Sequence, residues 1–387
     1  MNIFLNSIRI FVGVLFIFSG LVKGNDPLGL AYKMDEFYEV WIGDLANSSF
    51  FMKESLTDFF HYLGNHSLFL SVIMIAFEII AGAALLLGWR MRLFSWLLLL
   101  LMIFFTFLTG YTFYTGKPTN CGCFGDCLKI SSEFSFWKDV LLTALILVIL
   151  FAQKKIKPLF SPGLNTGLMF LVTVFSFGLQ WYALKYLPPV DCLPFKKGNN
   201  ITEKRKMPAD AVPDSVVMTF VYAKGGANVE FTADKFPVDF NDSLYKFVNR
   251  YDKVVRKGKN NEPPIKGFSI TGITGVDSTE IILSMPYTIL LFEEKPAASG
   301  TGWEKDFLEI QKTATQKNIP IFIVTTSLDE FSKKRTTNLS VMICDYTAIR
   351  TAARANPTIY LLKNGTVTGK WSYASFDAAG KAINNLK

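Results

Sequence analysis

Long apolar runs crowd into residues 1–190, and polar and apolar positions alternate on a much shorter scale from Lys196 onward. A bilayer-crossing helix needs roughly 20 mostly apolar residues. Five runs are candidates: residues 3–22, 68–87, 93–114, 136–151, the shortest, and 167–187. No small-residue cleavage site follows the first run, so it reads as a retained span. Between the first two runs, 34–45 and 50–63 carry aromatic and aliphatic residues at helical spacing and read as amphipathic helices along the membrane face.

Basic residues orient the spans. Arg90 and Arg92 join the second and third runs, and Lys154, Lys155 and Lys157 join the fourth and fifth. Short basic loops without acids are cytoplasmic. The expected topology therefore has the N-terminus inside, and the loops at 24–66 and 115–135, with the whole C-terminal half, on the extracytoplasmic side. The expected location is the cell inner membrane with a periplasmic C-terminal domain, and the bilayer is the first partner.

The soluble half alternates differently. Val216–Tyr222 and Asn228–Thr232 flank Lys224-Gly225-Gly226, a hairpin signal. Leu244–Val255 reads as a short amphipathic helix, closing an α+β connector over 191–262. From 263 onward, apolar strands at 288–292 and 319–325 enclose a helix at 303–316. Asn356-Pro357 then precedes strands at 358–362 and 366–370 and a closing helix at 376–385. This order resembles a thioredoxin-like domain, in which Pro357 takes the place of the cis-proline. The stretch 293–302, where active members carry Cys-x-x-Cys, holds no cysteine. The domain is expected to dock or orient a partner rather than run a dithiol cycle.

Composition adds less. Among 387 residues the formal net charge is +8, but no basic run has the length or aromatic interleaving of a nucleic-acid groove. Part of the excess is topological. The two histidines, His61 and His66, fall in the first outer loop and read as interfacial surface residues. Arg9 and Glu78 sit inside spans, where an ionisable group is costly unless paired or hydrated. Three readings are open: a site facing the bundle interior, as a small-molecule transporter would use, a mutual pair that sets helix packing, or an Arg9 that snorkels to the cytoplasmic surface. The absence of an internal repeat argues against transport.

The candidate chemistry lies in five cysteines, three of them within seven residues. Asn120-Cys121-Gly122-Cys123-Phe124-Gly125-Asp126-Cys127 forms the second outer loop, and Cys192 follows the fifth span. An oxidising compartment favours disulfides there, and Gly122 and Gly125 permit tight backbone. Three readings stay open: a zinc site, disfavoured by the Cys-x-Cys-x3-Cys spacing; structural stapling, within the loop or to Cys192; and thiol–disulfide exchange. Cys344 reads as a buried core thiol.

The CGCFGD string before Lys138-Asp139, the opening Arg9, Gly13, Ser19-Gly20 and Lys23, and Glu78 followed by Gly82, Leu85–Gly88 and Arg90 together resemble the DoxX/MauE superfamily over about residues 1–153. The whole chain resembles DoxX-type proteins of Bacteroidetes. The resemblance implies a four-helix membrane redox unit, with MauE implicated in disulfide formation in a periplasmic enzyme subunit. A fifth helix at 154–190 and the C-terminal extension go beyond that unit. The implied function is a membrane thiol–disulfide redox role, that of a thiol–disulfide oxidoreductase if enzymatic, with Cys121, Cys123, Cys127 and Cys192 reactive and an extracytoplasmic protein as partner. The alternative is a non-catalytic scaffold of an envelope complex. No metal is expected and no cofactor motif occurs; a quinone enters by analogy alone.

Overall fold

The computed structural model describes every residue except 1–2, 119–121, 123–124, 126, 129, 257, 295, 297–299, 301, 335–336 and 387. Seven helices come first: α1 (Ile3–Gly24), α2 (Pro27–Ala46), α3 (Lys53–Asn65), α4 (Ser67–Leu87), α5 (Met91–Thr115), α6 (Ser132–Ala152) and α7 (Pro162–Tyr186). Among the described residues, five helices, α1, α4, α5, α6 and α7, are long and apolar enough to cross a membrane.

Glycine sets the tightest seam. A Cβ on Gly82 would lie 2.7 Å from the Gly13 carbonyl oxygen, and one on Gly20 would lie 2.6 Å from Ile79. Without a hydrophobic drive between helices in lipid, small residues allow the close approach that dispersion needs. This contact lays α1 directly on α4. Packed around it are Val12, Phe16, Leu85, Leu98 and Ile146, all buried.

Asp26 starts α2. Its Oδ1 accepts from the Gly29 amide at 3.0 Å, and Pro27 occupies the first turn, where a missing N–H costs nothing. The helix then lies against α4, with Ser71 donating to the Pro27 carbonyl at 2.7 Å. Helix α3 returns beside it through Tyr38 and Trp41 against Phe60 and buries none of its own residues.

After α7 and the short α8 (Ile201–Lys204), three antiparallel strands form a sheet: β1 (Ser215–Lys224), β2 (Ala227–Thr232) and β3 (Lys246–Arg256), in the order β2-β1-β3. Here the expected helix at 244–255 is corrected to a strand. Apolar residues at 244, 247, 248, 251, 254 and 255 do repeat at helical spacing. However, β1 offers a free edge that β3 pairs along nearly its full length, and β-branched and aromatic residues suit that surface.

The last unit contains α9 (Thr279–Leu283), β4 (Thr288–Glu293), α10 (Glu304–Gln316), β5 (Ile321–Thr325), α11 (Leu328–Lys334), β6 (Ser340–Ile343), α12 (Tyr346–Ala352), β7 (Thr358–Lys363), β8 (Thr366–Ser372) and α13 (Phe376–Asn384). Its sheet runs β6-β5-β4-β7-β8, with β4, β5 and β6 parallel and β7 and β8 antiparallel. One face packs on α10 and α13. The other packs on α9, α12 and the incoming Phe195 and Ile201. The Asn356–Pro357 bond before β7 is cis. This is the thioredoxin-like arrangement.

Candidate functional site

Gly122 and Gly125 both adopt left-handed backbone, φ +67 and +60, and the Gly125 amide closes a turn on the Gly122 carbonyl at 3.0 Å. A side chain at Gly122 would also meet Lys33 of α2, with Cβ 2.9 Å from its Cγ. The turn leads to Cys127, which is disulfide-bonded to Cys192 across 65 residues of sequence, with Cα atoms 5.0 Å apart. Cys121 and Cys123 lie outside the described residues.

Asn25, the residue after α1, fastens this junction. Its side chain donates to the Val190 carbonyl at 2.8 Å and accepts from the Val190 amide at 2.9 Å, with Nδ2 also 3.9 Å from the Cys127 sulfur. One side-chain amide thereby imitates a strand pairing between α1 and the segment carrying Cys192. Sequence reading passed over Asn25; the Gly-Asn-Asp-Pro helix boundary was the available signal.

Beneath the loop lies a cavity of about 60 Å3 enclosed by α1, α2, α4, α5 and α6. Gly122 and Lys33 are on its rim, and Phe37, Tyr38, Trp41 and Phe105 supply aromatic wall. Two buried ion pairs face into it. Lys23 meets Glu78 at 2.5 Å, with side-chain exposures of 4 % and 1 %, and Ser19 donates to the same carboxylate at 3.0 Å. Lys138 meets Asp139 at 2.8 Å, and Thr109 donates to Asp139 at 3.1 Å. Each carboxylate thus has one ammonium and one hydroxyl, which offsets the cost of burying it.

Of the readings open for Arg9 and Glu78, the mutual pair is corrected by this geometry, because Glu78 meets Lys23 and Ser19 instead. Ser19 and Lys23 are one turn apart on α1 and share the face that Glu78 meets, whereas Arg9 is fourteen residues before Lys23, about 21 Å along a helix rising 1.5 Å per residue. Arg9 is buried elsewhere, and its Nε and Nη1 make no hydrogen bond among the described residues. His66 caps α3, its ring against Tyr62 and its Nδ1 2.8 Å from the Tyr62 carbonyl. Among the described residues, no group of His, Cys, Asp and Glu is placed to hold a metal.

The thioredoxin-like domain meets the membrane half through its own ligand edge. Glu294 directly follows β4, where the missing dithiol would begin. It accepts from Tyr32 of α2 at 3.2 Å and from Arg350 of α12 at 3.1 Å. Arg350 reaches on to Asp35 at 3.2 Å and stacks its guanidinium on the Tyr32 ring at 4.2 Å. Arg354, one turn later, pairs with Asp26 at 2.8 Å. Burial and the neighbouring Glu294 hold the Tyr32 phenol well above its ordinary range, and it stays protonated as the donor. Helix α2 is two-faced: Tyr32 and Asp35 hold the domain, while Leu30, Met34 and Phe37 line the cavity.

A further pair brackets the disulfide. Asp191 accepts from Lys370 of β8 at 2.8 Å. Burial lowers the Lys370 ammonium's pKa, against the opposing pull of Asp191. Cys344 is buried below the sheet, its thiol pushed up to about 12 chiefly by burial, and stands apart from this site.

Residues 1–152 match the family model of methylamine utilisation protein MauE. Over those residues the membrane half is similar to MauE. The MauE-type match covers α1 to α6 and therefore the cavity, both ion pairs and the cysteine loop; α7 and Cys192 fall beyond it. Residues 216–257, the three-stranded sheet, match a domain of unknown function, DUF8463. No curated protein matches. A solved thioredoxin-like protein from Bacteroides caccae aligns at 12% identity over 89% of this chain and 88% of that one, with a TM-score of 0.26. The thioredoxin-like arrangement rests on the strand order β6-β5-β4-β7-β8 and its parallel and antiparallel pairings.

Proposed function

We propose that the chain is a membrane thiol–disulfide exchange protein, acting on the extracytoplasmic side of the inner membrane through Cys121, Cys123, Cys127 and Cys192. The observation that carries this reading is the Cys127–Cys192 bond, which ties the MauE-type loop to the entry of the soluble half. Two further cysteines precede Cys127 in the same short loop. In exchange, a thiolate attacks a disulfide sulfur, a mixed disulfide forms, and a neighbouring thiol resolves it. A partner dithiol would leave as a disulfide while one cysteine pair of this chain becomes reduced, to be reoxidised by an acceptor. The thioredoxin-like domain, without cysteines at its usual dithiol position, serves to hold α2 and the junction in place.

The test is to trap the mixed species. Cys121→Ser and Cys123→Ser, each expressed in otherwise intact cells, remove one thiol that would resolve it. The reading expects a reductant-sensitive covalent adduct with an extracytoplasmic protein in at least one variant. It fails if neither variant, nor Cys192→Ser, yields one.

A second reading has its own support. The disulfide is bracketed by the Asp26–Arg354 and Asp191–Lys370 pairs, as a staple in a non-catalytic envelope scaffold would be. One fixed cysteine pairing, unchanged in every redox condition, would favour it.

A further inference from the structure

We propose that the chain dimerises through the outer edge of β3, which pairs antiparallel with β3 of a second copy about a two-fold axis at Tyr251 and joins two three-stranded sheets into one. This inference does not rest on the exchange reading.

Among the described residues, β3 pairs with β1 on one side and ends the sheet on the other, and all 11 of its residues are exposed. An open strand edge carries a row of unpaired N–H and C=O groups that another strand can meet. Folded chains blunt such edges by keeping them short or charged. The opposite edge, β2, is short, with 6 residues, and its one charged residue, Glu230, has no base in the strand to meet. The β3 edge is long and its charges are matched. Phe247-Val248 and Val254-Val255 are apolar, each exposed by 46 % or more, and they flank Asn249, Arg250, Tyr251, Asp252 and Lys253. Read outward from Tyr251, both directions give a charge, a hydrogen-bonding residue and two apolar residues, and the two inner charges are opposite in sign.

This pattern selects one register. The N–H and C=O groups of a strand point outward at every second residue, so two copies of one edge meet antiparallel with residues of like parity opposite each other. Setting Tyr251 against itself places Arg250 opposite Asp252 of the second copy, twice by symmetry. Asn249 then meets Lys253, and Val248 meets Val254. Opposite charges directly across a ladder attract. Moving the axis one residue either way sets Arg250 against Arg250 or Asp252 against Asp252, which repel. The backbone suits the pairing. β1 skips Val248 and Val255, and between those two irregularities the stretch 249–254 is regular. Arg250 and Asp252 already share one face, where Nε and Nη2 of the arginine donate to the carboxylate at 2.8 and 2.7 Å. Each carboxylate in the dimer would stand between its own guanidinium and that of the second copy.

The test uses the full chain coexpressed under two affinity tags, extracted in mild detergent and co-purified. The unaltered chain is expected to bring down its differently tagged copy. Arg250→Asp alone and Asp252→Arg alone should each lower that yield about fivefold or more, because like charges then face each other on both sides of the axis. Arg250→Asp under one tag with Asp252→Arg under the other should restore the yield to within about twofold of the unaltered chain, because opposite charges again meet across the axis. Neither variant keeps the Arg250–Asp252 pair within its own strand, so a purely structural role would leave the mixture as weak as the single variants. If either variant fails to fold, Tyr251→Cys decides. Mild oxidation in native membranes should link two copies at position 251, beyond what the unaltered chain gives with the same oxidant. Lys253→Cys should not link, because each copy's residue 253 lies opposite residue 249. The proposal is overturned if the unaltered chain brings down no second copy, if single reversals leave the yield unchanged, or if the mixture does no better than either variant. It is also overturned if position 251 forms no link, or links to a different protein.

Discussion

Arg354 donates through Nε to Asp26 Oδ2 at 2.8 Å, joining residues 328 apart in the chain, with side-chain exposures of 4 % and 12 %. Asp26 is also the N-cap of α2, so one carboxylate both starts the helix that roofs the cavity and anchors the thioredoxin-like domain to it. The domain that lacks a dithiol instead spends its ligand edge on its own membrane half.

Breaking that contact should therefore be felt in both halves. Arg354→Ala leaves Asp26 without its cation in a mostly buried place, a change of the kind that costs about 3 kcal/mol. Hydrogen exchange in α2 should accelerate and the segment 187–200 should become protease-sensitive. Pairing it with Asp26→Asn, which keeps a capping oxygen, should recover a large part of the loss. If α2 exchange stays unchanged in Arg354→Ala, the domain is not what secures the helix.

The Lys23–Glu78 pair predicts a related asymmetry at membrane depth. Glu78→Gln strands a buried ammonium and should lower the thermal stability of the solubilised chain by about 3 kcal/mol or more. Lys23→Met with Glu78→Leu removes both charges and should melt close to the unaltered protein. A Glu78→Gln melt that matches the unaltered chain would show that the pair is hydrated and contributes little.

Much of this was legible beforehand, for identifiable reasons. The spans were visible because a lipid-facing helix must be apolar over its whole length. The thioredoxin-like order was visible because its central strands, buried on both faces, read as apolar runs such as Thr288–Phe292. The strand β3 was hidden because it is exposed on both sides, so no alternation marks it and its apolar residues fall at helical spacing. Lys23 and Asp139 were quoted only as family likenesses. Ser19 and Lys23, four apart and facing a mid-span Glu78, were the physical clue to one site, and a charged pair opening the fourth span was the clue to the other. The seam joins Arg350 to Asp35 and Arg354 to Asp26, each more than 300 residues away, which no local pattern encodes.

Cys344 gives a pH prediction. Its thiol, raised from 9.0 to about 12 in the folded chain, binds a proton that the unfolded chain releases earlier. The stabilisation from keeping it neutral is complete below pH 9 and is lost as pH rises from about 9 to about 12. Cys344→Ala should accordingly show a shallower alkaline fall in stability across that window. In the unaltered chain at pH 8, Cys344 should resist alkylation until the domain unfolds. Rapid labelling of native Cys344 would contradict its placement in the core.

The exchange account is tested most directly by counting the redox states of the four outer cysteines. The full chain in native membranes is equilibrated across a graded series of glutathione redox buffers, quenched in acid, labelled with two mass-distinct alkylating reagents and mapped by peptide mass. The account predicts that at least one pair among Cys121, Cys123, Cys127 and Cys192 passes reversibly between dithiol and disulfide within the series, while Cys344 stays reduced throughout. A single pairing that holds unchanged from the most oxidising to the most reducing buffer would contradict it and leave the scaffold reading in its place.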